Sequence, residues 1–298
     1  MPNALLILFY LVFISQIILL SYYIPNKYFK RMKYVTEKFP PSKYPKLYPN
    51  IINKYKESHT DAIARRWPYT YRNINVVIFC IGFLLLGTAF FTNFSPEKEG
   101  EEVILAIYTF LQLSPFMYLS MSEFRQFSLM RKTNVSGMRK ADLEPRSFFD
   151  FISPITFGIA VILLVSCIFF TLYINEYEIH LGGGAFITLL TLVGVHLFFV
   201  AVLKWQVFGK KMNPHVASKD RINEMKIGVK SAVYASIAMS IFLILQAAKD
   251  EFNMHYMQVF LMSIYFQVIA SSSLGLVLRE APIEDVNLEV YKKEQPVN

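Results

Sequence analysis

Four polar side chains lie near the middle of long apolar stretches: Gln16, Gln112, His196 and Gln267. Each is nine to twelve residues from one end of its stretch, about 14–18 Å deep at 1.5 Å per residue of helix. Amide and imidazole groups at one depth could line a neutral polar pocket at the membrane midplane, where carriers bind their substrates. The same groups also tie membrane helices together by hydrogen bonds. For a single Gln, the bond between helices is the commoner use.

Two of these positions have further features. His196 is the titratable member of the set and could relay a proton, since a free imidazole titrates near pH ~6.5. Its stretch holds no carboxylate to support a charged ring, and burial alone favours the neutral form.

Gln112 lies beside Ser114 and Pro115. Because proline lacks an amide proton and crowds the preceding turn, this pair predicts a kink and a free carbonyl.

The chain carries no recognisable catalytic or metal-binding motif. It has no His-Glu-x-x-His, no Cys pair at zinc spacing, no Gly-x-Ser-x-Gly and no phosphate loop. Cys80 and Cys167 fall at helix depths that differ by roughly 13 Å, too far apart for a disulfide. The cluster Glu176, Glu178 and His180 is more typical of a solvated turn than of a cation site. We therefore expect no cofactor, no metal and no nucleic-acid partner, and we lean against an enzyme.

The stretches that hold these residues exclude every fixed charge. All 30 basic and 22 acidic residues lie outside them, which matters because one ionised group at mid-bilayer costs ~2.5–3.5 kcal/mol. Each stretch is close to the ~20 residues that cross a bilayer as a helix, and none alternates like a barrel strand. The predicted fold is an all-α, polytopic integral membrane protein: one N-terminal transmembrane helix followed by three helical hairpins. The seven predicted spans are residues 4–23, 76–94, 103–121, 154–174, 184–203, 231–248 and 255–278.

The segments between the spans differ sharply in charge. Residues 24–75, 122–153, 204–230 and the tail 279–298 hold 28 of the 30 basic residues. Because Lys and Arg concentrate in cytoplasmic loops, the N-terminus is predicted outside and the C-terminus in the cytoplasm. The first stretch lacks the basic start and cleavage site of a signal peptide and is expected to stay as a helix. We expect a plasma membrane or a bacterial inner membrane.

The loop 24–75 is basic and contains amphipathic segments. Residues 26–39 have a helical apolar periodicity that suits a helix lying in the membrane interface. A second amphipathic helix is predicted to end before Trp67-Pro68, and the tail is expected to be mobile. Basic residues beside an anionic leaflet gain about 1 kcal/mol each. Four of them are predicted to dock anionic lipid or a protein partner: Lys27, Lys30, Arg31 and Lys33.

Known classes with a similar layout do not fit the residues. A retinal protein needs a Lys in its last helix, and residues 255–278 have none; the Pro-x-acid-x-x-base signature of mitochondrial-type carriers is also missing. Two functions stay open. The favoured one is a non-enzymatic membrane interaction, sensor or subunit protein, which acts through a protein partner or a second copy. The alternative is a transporter or channel-like protein for a neutral or weakly polar solute. A water-accessible cavity would favour transport, and a packed, hydrogen-bonded centre would favour interaction.

Overall fold

The structure, a computed structural model, describes residues 3–55, 57–92, 101–133, 147–178, 180–209 and 212–293. Within these ranges the chain is helical without a strand, and seven helices are long and apolar enough to cross a membrane. The end of the second predicted span and most of the loop after it lie outside the described residues, as do residues 134–146. The helices are α1 (Asn3–Ile17), α2 (Ile24–Lys38), α3 (Pro49–Lys54), α4 (Thr60–Phe91), α5 (Glu101–Thr133), α6 (Pro154–Ile174), α7 (Gly184–Phe208), α8 (Ser218–Glu251), α9 (Gln258–Ala270) and α10 (Leu276–Glu280).

Several spanning helices continue far beyond their apolar stretches. α4 begins at Thr60, α5 continues to Thr133 and α8 begins at Ser218. With 32 residues, α4 is about 48 Å long at 1.5 Å per residue, against a hydrocarbon core of ~30 Å. The extra turns all project at the end of the bundle that carries the basic loops and the tail. We call this end the basic side.

The structure differs from the sequence-based prediction in two further places. The segment predicted as a separate interfacial helix is α2, which continues directly from α1 through a π-helical turn, Ile18–Tyr23. A proline crowds the carbonyl four residues earlier, and for Pro25 that carbonyl belongs to Ser21 within the wider π-helical turn. The predicted stop at Trp67-Pro68 is also not observed. Pro68 lies buried inside α4, and the amphipathic segment runs into the second span.

The spanning helices form two groups. In the first, α1, α4 and α5 pack together around Phe13, Ile17, Ile78 and Tyr108, and α9 packs on α1 and α5. In the second, α6 and α7 pack on α8, which is the most buried span. The α8 helix also contacts α9, α10 and the π-helical turn Ser271–Gly275 between them. The two groups are therefore joined mainly along α8 and α9.

The second group has a defined starting point in the chain. α6 begins at Pro154, where the Ser153 hydroxyl accepts a hydrogen bond from the Ile155 amide at 3.3 Å. Proline at the first position of a helix loses nothing, since that amide has no partner within the helix. Just before this cap, Phe151 and Ile152 are buried in the apolar core of the second group. The short segment thus anchors the start of the helix as well as capping it.

The tail is docked on the loop 24–75 rather than mobile up to residue 293. Its residues Leu288 and Tyr291 pack with Phe39, Tyr44 and Met130 in an apolar core on the basic side, which we call the tail cluster. The loop was too short and polar to form a core alone. With side chains from the tail and from the end of α5, it has enough apolar surface to bury. Burial raises the pKa of Tyr291 to about 12, because the phenolate would lose its hydration.

Hydrogen bonds from the tail reach both groups of helices. Arg31 of α2 donates to the Ala281 carbonyl at 2.6 Å. On the other side, the Asp220 carboxylate at the start of α8 accepts from the Asn287 amide at 3.0 Å. Lys230 of α8 forms an ion pair with Glu280 at 2.7 Å. The tail therefore ties the basic ends of the two groups together.

Candidate functional site: a mid-membrane amide network

Three of the four polar residues at mid-depth meet in the first helix group. The Gln16 amide nitrogen donates to Gln112 Oε1 at 2.7 Å and to Thr109 Oγ1 at 2.9 Å. Its carbonyl oxygen accepts from the Ser263 hydroxyl. Gln267, one turn along α9, donates to Ser263 Oγ at 3.4 Å. Side chains from α1, α5 and α9 thus form one chain of hydrogen bonds, which we call the amide network.

The network continues to a fourth helix. Gln112 donates through its amide nitrogen to Ser21 Oγ at 2.9 Å. Ser21 Oγ lies 3.4 Å from the Tyr108 hydroxyl, which donates in turn to the carbonyl of Ile78 in α4 at 3.1 Å. The Ile78 carbonyl already belongs to a helix and accepts this bond as a second one. All four helices of the first group are therefore linked by neutral donors and acceptors.

The centre of the network is closed. Gln16 is 1% exposed and Gln112 is fully buried. The cavity beside Gln16, Thr109 and Ser263 has a volume of about 10 Å³, near the minimum for a single water molecule. Since a buried amide without partners is costly, the bonds between side chains are what make these glutamines tolerable here. The arrangement can hold helices together, and around Gln16 and Gln112 it leaves no room for a solute. Gln267, at the edge of the network, also lines an open groove on the outer surface of the bundle.

A close approach between α4 and α5 positions the Tyr108 hydroxyl. A Cβ atom added at Gly82 would overlap the Tyr108 ring and touch Ile17. Glycine at this position therefore lets the ring cross the surface of α4 and reach the Ile78 carbonyl. Small residues commonly allow such contacts between membrane helices.

Ser114 and Pro115 lie beside the network but not in it. Pro115 is buried inside α5, and the carbonyl that its missing amide leaves free is that of Leu111. The Ser114 hydroxyl donates to this carbonyl at 2.8 Å. The predicted free carbonyl thus receives a local partner, and α5 continues through the proline.

His196 lies in the second helix group, apart from the three glutamines. Its Nδ1 is 2.8 Å from the Leu192 carbonyl and its Nε2 is 3.1 Å from the Ser240 hydroxyl of α8. Because a carbonyl can only accept, Nδ1 carries the proton, and Nε2 accepts from Ser240. A neutral imidazole satisfies both contacts. The ring therefore joins α7 to α8, as the glutamines join the first group.

The four predicted docking residues on α2 differ in how far their charges are available. Arg31 is held by the Ala281 carbonyl, and Lys33 lies 3.8 Å from the Glu37 carboxylate. Lys27 and Lys30 are exposed, with the ammonium of Lys27 5.7 Å from the centre of the Tyr23 ring. Only the last two therefore present charge without an acidic or backbone partner in the described part of the chain.

The described residues contain no group of three or more His, Cys, Asp or Glu side chains that could hold a metal ion. Glu178 and His180 form an exposed pair at 3.4 Å. Cys80 is exposed on α4, Cys167 is buried in α6, and both thiols are free.

Comparison of the chain with protein-family models, with curated proteins and with solved structures found no match.

Several members of the network were not predicted from the sequence. Thr109 lies three residues before Gln112, and Ser263 lies four residues before Gln267, spacings that place each pair on one helix face. This was a usable signal. The contribution of Tyr108 had no such signal, because it depends on Gly82 in a different helix.

We predict that Gly82→Ala lowers stability by about 1–3 kcal/mol, the usual cost of overpacking. The new methyl group would displace Tyr108 and break its bond to Ile78. Thermal unfolding in detergent measures the effect. Gly87→Ala is the matched control, since a Cβ there meets nothing within 4 Å on the same helix. Equal melting temperatures for the two variants would contradict the proposed close approach.

Proposed function

We propose that this chain is a non-enzymatic membrane interaction, sensor or subunit protein rather than a conduit for solute. In this proposal the N-terminus is outside, three hairpins follow the first helix, and the basic side faces the cytoplasm of a plasma or bacterial inner membrane. The basic side docks anionic lipid headgroups together with a protein partner or a second copy of the chain.

The closed amide network is the observation that carries this proposal. A carrier binds its solute near the midplane with polar groups that a solvent path can reach. Here Gln16 and Gln112 use their amides on each other and on neighbouring helices, beside a cavity of about 10 Å³. Their arrangement suits permanent helix association, where each bond contributes about 0.6 kcal/mol on average.

The shape of the basic side also supports the proposal. The tail cluster holds the loop 24–75 against the end of α5, and the Asp220–Asn287 bond ties the tail to the start of α8. The surface around α2 is therefore formed before any partner arrives. A preformed surface avoids the cost of ordering a loop on binding. Lys27 and Lys30 project from it with their charges available. Basic residues at this level attract anionic leaflets and acidic protein surfaces.

The first test separates helix association from transport. We expect Gln112→Leu/Gln267→Leu to insert normally and to unfold at a lower temperature, because buried partners lose their bonds at about 1–3 kcal/mol each. Flux of small neutral solutes into reconstituted vesicles should equal that of protein-free vesicles, both before and after the change.

Met117→Leu, at a lipid-exposed position of α5, is the control and should leave the melting temperature unchanged. Solute flux through the wild-type protein that the double change abolishes would refute the proposal and establish the transport alternative.

The second test concerns the docking surface. Lys27→Gln/Lys30→Gln should reduce the enrichment of anionic lipid around the protein and flatten its salt dependence, at about 1 kcal/mol for each charge removed. Energy transfer from the protein to labelled phosphatidylglycerol in mixed vesicles, at low and high salt, measures this enrichment. Lys33→Gln should have a smaller effect, because the Lys33 ammonium already lies beside the Glu37 carboxylate. Identical salt dependence in the wild type and the double variant would count against docking through this surface.

A further inference from the structure

A groove lies on α9 between α1 and α8, on the outer surface of the bundle. Its volume is about 560 Å³, and it is open along one side. Arg279 lies at one end, on the basic side, and Ser15 and Gln267 lie in the deep half, followed by Val12 and Ile264 at the far end. Leu19 and Val268 contribute to the apolar walls between them. Because these helices are embedded, the groove opens towards lipid.

The groove is at least as long as one leaflet is deep. Ile264, the lining residue of α9 farthest from Arg279, is fifteen residues from it in the chain, which is about 22 Å along a helix. Half of a ~30 Å hydrocarbon core is about 15 Å. The groove therefore runs from the headgroup level on the basic side past the middle of the membrane, a length that can hold a single acyl chain.

The end of the groove on the basic side offers positive charge and a free donor. The Arg279 side chain is 74% exposed and lies 3.5 Å from the Glu280 carboxylate. That carboxylate is held at 2.7 and 2.8 Å by Lys230, so the three side chains together carry one net positive charge. The Tyr234 hydroxyl, which also lines the groove, has no hydrogen-bond partner among the described residues. Arginine with a hydroxyl donor is a chemistry that suits a phosphate oxygen.

The polar groups in the deep half of the groove need no hydrogen bond from a ligand. Ser15 donates to the Val12 carbonyl at 2.7 Å and lies 3.1 Å from Gln267 Oε1, while the Gln267 amide nitrogen donates to the Val12 carbonyl at 3.3 Å. Because these polar groups already have partners, an apolar chain end can lie against them without leaving a bond unmade. Ser271 and Ser272 also line the groove between its two ends, and Ser272 donates to the Ile269 carbonyl at 3.2 Å. The charged group of the lining is therefore confined to the headgroup level.

We propose that this groove binds one phospholipid with an anionic headgroup from the leaflet on the basic side. The phosphate contacts Arg279 and Tyr234, and one acyl chain lies along Leu19, Val268 and Leu276 towards Gln267. The site differs from the docking surface on α2, because it retains a single lipid by shape and does not depend on the function proposed above.

Native mass spectrometry of the protein, released from vesicles of phosphatidylglycerol and phosphatidylcholine with identical chains, tests this site. The wild type should retain one phosphatidylglycerol in preference to phosphatidylcholine. Arg279→Gln should reduce that retention about tenfold, and Tyr234→Phe a few-fold. Lys30→Gln removes the same charge at an exposed position of α2 and should retain the lipid as the wild type does. Melting temperatures should stay close to that of the wild type for all three.

A groove-filling change makes the location testable. Val268→Trp should abolish retention of both lipids while Arg279 stays in place. Retention of one phosphatidylglycerol by Val268→Trp, or equal retention by Arg279→Gln and the wild type, would overturn the proposal.

A lipid-free dimer would show instead that a second copy covers the groove. Displacement by glycerol 3-phosphate alone would show a phosphate site without lipid. Loss of salt-dependent enrichment in Lys27→Gln/Lys30→Gln with the single lipid still retained would separate the two surfaces.

Discussion

The cost of an ionised group in hydrocarbon is the constraint on which the rest of this structure depends. Because the apolar stretches contain no Lys, Arg, Asp or Glu, the helices cannot be joined at mid-depth by ion pairs. Neutral amides, hydroxyls and one imidazole join the helices instead, through hydrogen bonds between side chains of neighbouring helices. The charges collect beyond the membrane ends, where Lys230 and Glu280 can pair beside water. Polar adhesion inside and ionic adhesion outside thus follow from a single solvation rule.

The two helix groups use this rule in different ways. The first is held by a chain of bonds that passes through α9, α1, α5 and α4, whereas the second is held by His196 with Ser240 and by apolar packing around Val229. Between them, α8 packs on α9, and the docked tail connects their basic ends. The tail contacts the first group through the tail cluster and the second through Asp220 and Lys230, so movement of one group against the other would have to break one of these contacts. The surface that the basic residues present is therefore coupled to how the helices pack.

The sequence predicted what local composition controls and missed what depends on distant partners. The spans and the start of α6 at Ser153-Pro154 follow from apolar runs and from a cap, and both are signals within one segment. The sequence did not predict that α4 and α5 continue past the ends of their apolar stretches. They do so because their extra turns pack against other elements on the basic side. The docked tail was missed for the same reason: Tyr291 is polar in sequence terms and buried only against Met130 and Phe39. The equal depth of the four polar residues correctly suggested that the three glutamines meet. Depth alone could not show that His196 lies in the other helix group.

Two-sided cysteine labelling tests the charge-sorted arrangement most directly. Single cysteines at Asn53, on the basic side, and at Glu251, at the other end of α8, would be placed in a chain lacking Cys80 and Cys167; both positions are exposed. An impermeant maleimide should label Glu251→Cys in intact cells and Asn53→Cys only after permeabilisation. Labelling of both positions from the same side would contradict the account, because the two ends of the bundle would then not be separated by a membrane.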